Sequence, residues 1–188
     1  MDRGTTMTLP AFAQLPAGNL VLASSSSARA KILHDAGLSY RCYPVSIDEE
    51  SIRASASAEL VPVGDIAIML AELKAAAAVQ RLALESDPSS VYILGCDQIL
   101  SCGEVIYNKP KNQAMAKAQL MALSGKKHQL FSAAVLYRHG ERIWHHLAIA
   151  NITMRRLDEG FIVSYLDRLG AAALRSPASY QIESLGAP

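Results

Sequence analysis

The sequence predicts an α/β fold with a mixed sheet, and three observations support this prediction. First, segments with the spacing of strands alternate with segments with the spacing of helices throughout the 188-residue chain. Second, residues 91–95 form a continuous apolar run with the β-branched and aromatic composition of a strand covered on both faces. Third, hydrophobic residues make up 51% and charged residues 19% of the chain, so a core can form without disulfides.

In the first half of the chain, a short strand leads through a serine-rich loop into a helix. The predicted elements are a strand at 19–23, a helix at 29–36 that ends at Gly37, a strand at 40–45, an acidic turn at 48–50 and a helix at 65–84. The last helix has the most pronounced pattern, and Asp65 is placed to cap its amino terminus.

The second half adds the central strand, two helices and a strand pair. The predicted elements are the run at 91–95 continuing to residue 100, a helix at 113–123, strands at 128–137 and 142–153, and a helix at 158–169. The two-residue turn His139-Gly140 predicts that the strand pair is antiparallel. The tail from residue 176 is predicted to be a loop, with one short strand possible around Tyr180.

Composition excludes several classes of protein. A formal net charge of +1 provides no overall field toward nucleic acid or a membrane, and we expect neither as a partner. No apolar stretch approaches the roughly 20 residues of a membrane span, and residues 1–18 form a loose leader rather than a secretion signal. Three cysteines without metal-ligand spacing favour free thiols in the cytoplasm.

The serine-rich loop, from Ser24 to Arg29, is the first candidate site. It lies between a strand and a helix, so its hydroxyls and free backbone N–H groups stand at the positive end of a helix dipole, with an arginine one turn further on. This arrangement suits phosphate oxygens. The alternative is an ordinary helix cap, because serine is a common residue at that position.

Asp97 is the second candidate, because it interrupts an apolar strand. A carboxylate that loses its solvation needs a cation, hydrogen bonds or a metal ion as compensation. Lys109, twelve residues later, Lys74 on an apolar helix and the carboxylate of Glu49 are charged groups of the kind that phosphoryl chemistry with Mg²⁺ or Mn²⁺ employs. The alternative is that Asp97 caps a turn or pairs with a lysine at the edge of the core.

Several familiar signatures are missing. The sequence has neither the P-loop pattern nor the glycine-rich dinucleotide pattern, and it lacks the nucleophile elbow of serine hydrolases. The adjacent residues His145 and His146 lie on a predicted strand, so they point to opposite faces and cannot bind one metal ion together. We therefore assign the histidines no catalytic role.

Taken in order, seven segments resemble the Maf family from residue 19 to residue 187. They are LASSSSAR at 22–29, DE at 48–49, LAELKA at 70–75, GCDQ at 95–98, KP at 109–110, LSG at 123–125 and YQIE at 180–183. The resemblance implies an elongated α/β fold with two lobes around a central cleft, similar in shape to the inosine triphosphate pyrophosphatases. It also implies metal-dependent cleavage of a nucleoside triphosphate between the α- and β-phosphates, removal of unwanted nucleotides, and commonly a homodimer.

The resemblance also implies roles for individual residues. It implies that the loop residues Ser24, Ser26 and Arg29 bind phosphate. It implies that two lysines, Lys74 and Lys109, face the phosphates, and that Glu49 lies near the metal ion. Asp97 corresponds to the central acid, which would hold the metal or activate the attacking water, so the resemblance and the physical argument agree on this residue.

The substrate is indicated by three positions. Gln98 and Glu183 resemble the subgroup that hydrolyses 7-methyl-GTP, and a carboxylate at residue 183 suits the N1–H and exocyclic amine of guanine. Ala28 departs from that subgroup, which often has a tryptophan there. A dTTP/UTP pyrophosphatase and a nucleotide-binding regulator of cell division without catalysis are the alternatives.

The domain organisation follows the same resemblance. It predicts a single domain over residues 19–188 that ends at Pro188, without the final segment of about twenty residues found in family members. A missing terminal element would leave core surface uncovered and lower stability.

Overall fold

A computed structural model of the protein describes residues 19–85 and 91–180. The strands are β1 Leu20–Leu22, β2 Arg41–Cys42, β3 Tyr92–Cys102, β4 Val105–Tyr107, β5 Lys127–Arg138 and β6 Glu141–Thr153. The helices are α1 Ser27–Asp35, α2 Glu49–Ala58, α3 Val63–Glu85, α4 Gln113–Leu123 and α5 Glu159–Leu169, followed by two 3-10 turns, Gly170–Leu174 and Pro177–Ser179. The predicted α/β class is confirmed.

The strands form one open, mixed sheet in the order β2-β1-β3-β5-β6, and β4 pairs with β3. Strand β1 runs parallel to both neighbours, with Val21 opposite Arg41 on one side and Ile93 on the other. Strand β4 is antiparallel to β3. Strands β5 and β6 are joined by His139 and Gly140, whose φ angles of 52° and 78° fit a two-residue turn of an antiparallel hairpin.

Gly95 allows strand β3 to lie directly against helix α3. A Cβ atom at this position would stand 2.2 Å from the carbonyl oxygen of Ala71 and 2.9 Å from the Cβ of Ala75. Backbone cannot withdraw as a flexible side chain can, so only glycine permits this approach. Residues 71–75 of α3, which include Lys74, are thereby packed next to the strand two residues before Asp97.

The described residues fall into two compact units. The first unit contains residues 19–47, 70–85, 91–96 and 134–145. Most of its buried apolar residues come from the first strand, helix α3 and the start of β3, because these elements carry continuous apolar sequence. They include Leu20, Val21, Leu22, Leu70, Ala71, Ala75, Ala78, Leu82 and Ile93, and Val135 of β5 is buried as well.

The second unit contains residues 48–69, 97–133 and 146–180. One core cluster joins α4 to α5 through Leu120, Ile162 and Leu166. A smaller cluster packs Leu100 of β3 against Leu123. Asp158 caps α5 by accepting a hydrogen bond from the backbone N–H of Phe161 at 2.8 Å, as helix N-caps do.

Two local predictions are wrong in detail, and one strand was missed. The acidic segment at 48–50 is the start of helix α2, whose only buried residue is Ala56, so its sequence carries no apolar stripe to reveal it. Asp65 lies inside the first turn of α3 rather than at the cap, because the carbonyl of Pro62 already accepts from the N–H groups of residues 65 and 66. Strand β4 was not predicted, since its three residues are too few to show alternation.

The ends of the chain bear on two further predictions. The predicted leader, residues 1–18, lies outside the described residues. Tyr180 has extended backbone angles but belongs to no strand. Within residues 19–85 and 91–180, no helix is both long and apolar enough to cross a membrane.

Candidate functional site

The serine loop of the first unit is ordered by hydrogen bonds among its own residues. Ser26 is the N-cap of α1, and its side chain accepts from the backbone N–H of Arg29. The hydroxyl oxygen of Ser24, a residue only 8% exposed, accepts from the N–H of Ser26 and from the guanidinium of Arg29, both at 3.2 Å. The helix cap is therefore confirmed, and phosphate binding by the same residues stays a prediction.

Arg29 also connects the loop to strand β3. Its guanidinium donates to the carbonyl oxygen of Cys96 at 2.8 Å, across 67 residues of sequence. A charged donor at this distance makes a strong hydrogen bond that fixes the position of the side chain. The next residue after Cys96 is Asp97, so a peptide bond separates the arginine-bound carbonyl from the central acid.

Lys74 and Asp97 are both buried, with exposed fractions of 7% and 3%. Charged side chains are rarely buried to this extent, because removing them from water is costly unless other groups compensate. The sequence argument that Asp97 is desolvated is therefore correct. Lys74 lies on the stretch of α3 that Gly95 allows to approach β3.

The position of Asp97 in the sheet is set by the register of β3. Residues 92–94 pair with β1, and residues 100–102 pair with β4. Asp97 and Gln98 lie in the intervening part of the strand. Successive side chains of a strand point to opposite faces, which fits a buried Asp97 beside an exposed Gln98.

Gln98 is held by a neighbouring strand of the second unit. Its side-chain nitrogen donates to the hydroxyl oxygen of Ser132 on β5 at 2.9 Å. Strands β3 and β5 are neighbours in the sheet order, which explains how residues 34 positions apart meet. The sequence analysis did not identify Ser132, since no local pattern pairs it with Gln98.

Glu49 is the first residue of α2, and its carboxylate pairs with Arg53 one turn later at 3.3 Å. Both side chains are largely shielded, with exposed fractions of 29% and 15%. The i, i+4 spacing could have indicated this pair had the helix been predicted. Arg53 is thus a further cation among the candidate residues.

Lys109, by contrast, is exposed, although the proline that follows it is buried. The carbonyl of the preceding residue, Asn108, accepts a hydrogen bond from Gln119 of helix α4 at 2.9 Å. The segment that carries Lys109 is therefore anchored on both sides of the lysine. Glu183, the last of the predicted substrate-binding residues, lies outside the described residues.

The candidate metal ligands fit a divalent cation only in part. Among the described residues, no three His, Cys, Asp or Glu side chains cluster as a metal site would require. Mg²⁺ commonly binds proteins through one or two carboxylates and takes its remaining ligands from water and substrate phosphates. Asp97 and Glu49 are carboxylates of the kind that this mode uses, and their binding of a metal ion stays a prediction.

Another pair of titratable groups lies in the second unit and was not predicted. His128 is 2% exposed, and its Nε2 is 2.8 Å from the hydroxyl of Tyr180. Burial lowers the pKa of His128 and raises the pKa of Tyr180 to about 12. Both groups are therefore neutral near pH 7, which suits a structural hydrogen bond.

Comparison with known proteins shows the family of the chain. The family model described as Maf-like protein matches residues 19–188. A 7-methyl-GTP pyrophosphatase of Mesorhizobium japonicum is 43% identical over 167 residues, covering 89% of this chain and 81% of that protein. A nucleoside triphosphate pyrophosphatase of Paramagnetospirillum magneticum is 41% identical, covering 88% of this chain and 82% of its own. A 7-methyl-GTP pyrophosphatase of Brucella abortus is 42% identical, with 89% and 81% covered.

Proposed function

Because the chain belongs to the Maf-like protein family, we propose that it hydrolyses a nucleoside triphosphate to the monophosphate and pyrophosphate. One observation carries this proposal most directly. The guanidinium of Arg29 is fixed on the carbonyl of Cys96, immediately before the buried Asp97. The cation suits phosphate, and the carboxylate that follows Cys96 in the sequence suits water or a metal ion. The names of the similar proteins support the same reaction.

The first unit supplies the phosphate-binding groups in this proposal. Ser24, Ser26 and Arg29 offer hydroxyl, backbone and guanidinium donors at the start of α1. Within residues 19–85 and 91–180, the two side-chain hydrogen bonds of Arg29 use one terminal nitrogen, and in this proposal the other binds a phosphate oxygen. Lys74 adds a buried cation, whose attraction for phosphate is less weakened by water than that of an exposed lysine.

The second unit supplies the groups that act on the attacking water. Asp97 accepts a proton from this water as its oxygen bonds to the α-phosphorus, and the bond from that phosphorus to the bridging oxygen breaks, releasing pyrophosphate. Asp97 and Glu49 would hold Mg²⁺ or Mn²⁺, which when bound neutralises phosphate charge. Lys109 is exposed, and in this proposal it neutralises charge on the leaving pyrophosphate.

We propose a guanine nucleotide, 7-methyl-GTP, as the preferred substrate. Two of the similar proteins carry that name, and Gln98 and Glu183 are the residues that favour it in this sequence. The pyrimidine nucleotides dTTP and UTP remain the alternative, because Ala28 offers no stacking surface for a cationic methylated base. We further propose that residues 19–188 act as one domain, as a homodimer in the cytoplasm.

The test is a panel of nucleotides with the purified protein. In the presence of Mg²⁺ or Mn²⁺, we expect pyrophosphate release from 7-methyl-GTP and GTP that exceeds release from dTTP and UTP. The Asp97→Asn variant, which keeps the shape of the side chain but is a poorer proton acceptor, should lose about 100- to 10,000-fold in kcat. A thermal melt of the variant checks that it remains folded.

Three outcomes would oppose this proposal. Failure of every nucleotide in a broad panel would exclude the pyrophosphatase activity. Tight nucleotide binding in calorimetry without any product would favour a regulatory role instead. Preferential release from dTTP and UTP would reject the guanine substrate while retaining the reaction.

A further inference from the structure

We propose that Ser132 is a positioning residue that sets substrate preference by orienting the carboxamide of Gln98. This inference rests on the proposed function, in which Gln98 contacts the base. The observation behind it is the 2.9 Å hydrogen bond from the side-chain nitrogen of Gln98 to the hydroxyl oxygen of Ser132. The distance is normal for an N–H···O hydrogen bond, so the contact is a full one.

An exposed glutamine has no preferred direction for its amide group unless something holds it. The terminal torsion of glutamine is broad, and the amide presents an acceptor oxygen at one end and a donor nitrogen at the other. Gln98 is exposed, whereas Ser132 is partly buried on β5, where the paired strand fixes its backbone. The serine therefore provides the fixed point and the glutamine the group that is oriented.

Orientation decides which base the glutamine favours. With its nitrogen bonded to Ser132, Gln98 has its carbonyl oxygen available as an acceptor for a ligand. Guanine offers two adjacent donors, N1–H and the exocyclic amine, on one edge. Uracil and thymine offer a single N3–H between two carbonyl oxygens, which would repel the amide oxygen. A fixed acceptor at this point therefore favours guanine nucleotides.

The opposite orientation would have the opposite effect. If the serine hydroxyl donated to the amide oxygen instead, the amide nitrogen would face the ligand and favour the carbonyl groups of uracil and thymine. The choice between guanine and pyrimidine nucleotides is thus tied to which end of one amide Ser132 holds.

The test compares Ser132→Ala with Ser132→Thr, which keeps the hydroxyl and suits a strand. For each variant, kcat and KM are measured with 7-methyl-GTP, GTP, dTTP and UTP. We expect Ser132→Ala to reduce the ratio of kcat/KM for guanine over pyrimidine nucleotides by about three- to tenfold, because the amide must then be ordered on binding. The change should come from KM for the guanine nucleotides, and Ser132→Thr should retain the ratio.

A double-mutant cycle isolates the contact. In a Gln98→Ala background, Ser132→Ala should cause no further change in the ratio, since there is no amide left to orient. An unchanged ratio in the single Ser132→Ala variant would overturn the inference. An equal loss with all four nucleotides would also overturn it, because that pattern indicates a structural role for the serine.

Failure of the proposed reaction can be told apart from failure of this inference. If the unmodified protein releases no pyrophosphate, binding of 7-methyl-GMP, GMP, UMP and dTMP is measured by calorimetry. A preference for guanine that Ser132→Ala reduces and Ser132→Thr retains would support the positioning role without catalysis. A preference that does not respond to Ser132→Ala, or an initial preference for pyrimidines, would reject it.

Discussion

The two units of the molecule bury polar side chains in different ways. In the first unit, Ser24 is buried and linked to Arg29, which in turn reaches the backbone of strand β3. In the second unit, the buried His128 is hydrogen-bonded to Tyr180, and burial keeps both groups neutral near pH 7. The first arrangement holds the guanidinium of Arg29 in place and leaves hydrogen-bond donors for a ligand. In the second arrangement, the two side chains form a hydrogen bond with each other.

This difference shows that burial alone does not mark a functional residue. Buried polar groups need partners in any protein, and most of them find these partners within the fold. What distinguishes the first arrangement is that a permanently charged group, the guanidinium of Arg29, is held on a backbone carbonyl. Changes to the first arrangement should therefore lower activity, and changes to the second should lower stability.

The largest effect we expect is on stability, from the packing that supports the first arrangement. Gly95→Ala should lower the free energy of unfolding by about 3 kcal/mol, because the new methyl group would stand 2.2 Å from the carbonyl oxygen of Ala71. Urea denaturation of the variant measures this loss.

Gly64→Ala in the second unit is the matched control. There the nearest atom to the new Cβ is a methyl group of Leu147 at 2.6 Å, which is the end of a flexible side chain and can rotate away. Gly64 lies in helix α3, where alanine is the better helix former, so we expect a change of less than about 1 kcal/mol. Equal losses in the two variants would show that the close approach at Gly95 has no special importance.

The next effect concerns activity. Arg29→Lys keeps the positive charge but removes the planar group that contacts Ser24 and Cys96 together, so kcat/KM should fall by roughly tenfold or more. Arg81→Lys is the control, because Arg81 is an exposed arginine of the same unit whose hydrogen bond, to the carbonyl of Pro44, is long at 3.4 Å. If Arg29→Lys and the unmodified protein have similar kinetics, the proposed role of the planar guanidinium group of Arg29 is wrong.

The smallest effect separates the second arrangement from the first. His128→Gln should lower the free energy of unfolding by about 1 kcal/mol at pH 8, since an amide replaces the ring that meets Tyr180. The kcat should stay within about twofold of the unmodified protein. A large loss of kcat in a folded His128→Gln variant would contradict the contrast between the two units.

The same variant should change the pH dependence of stability. Burial lowers the pKa of His128 in the folded protein, so the unfolded chain binds a proton more readily below about pH 6.5, the ordinary pKa of histidine. The contribution of neutral His128 to the free energy of unfolding is therefore fully present above this pH. It should decrease as the pH falls toward the pKa of His128 in the folded protein. Urea titrations between pH 5 and 8 should show that the free energy of unfolding of the unmodified protein decreases at low pH. The decrease should be smaller in His128→Gln.

Much of the fold was predictable because its signals are local. Helix α4 was predicted with its observed bounds, and the hairpin at His139 and Gly140 was predicted from two residues whose positive φ angles the turn requires. Helix α2 was missed, since its shielded side chains include the charged residues Glu49 and Arg53, so the sequence shows no apolar period.

For the candidate site, the sequence identified residue types but not their partners. An aspartate in an apolar strand signals its own desolvation, and Asp97 is indeed buried. The pairing of Glu49 with Arg53 escaped notice together with the helix that carries it. The roles of all the predicted site residues in catalysis, metal binding or substrate binding stay predictions.

The sequence by itself determined the α/β class, most of the helices and strands, and which charged residues stand in apolar surroundings, because these properties depend on residues close together in the chain. Only the tertiary structure decided that Arg29 meets the carbonyl of Cys96, 67 residues away, and that Ser132 meets Gln98, 34 residues away. Such contacts depend on strand order and register, and these are set by how the whole chain packs rather than by any local pattern.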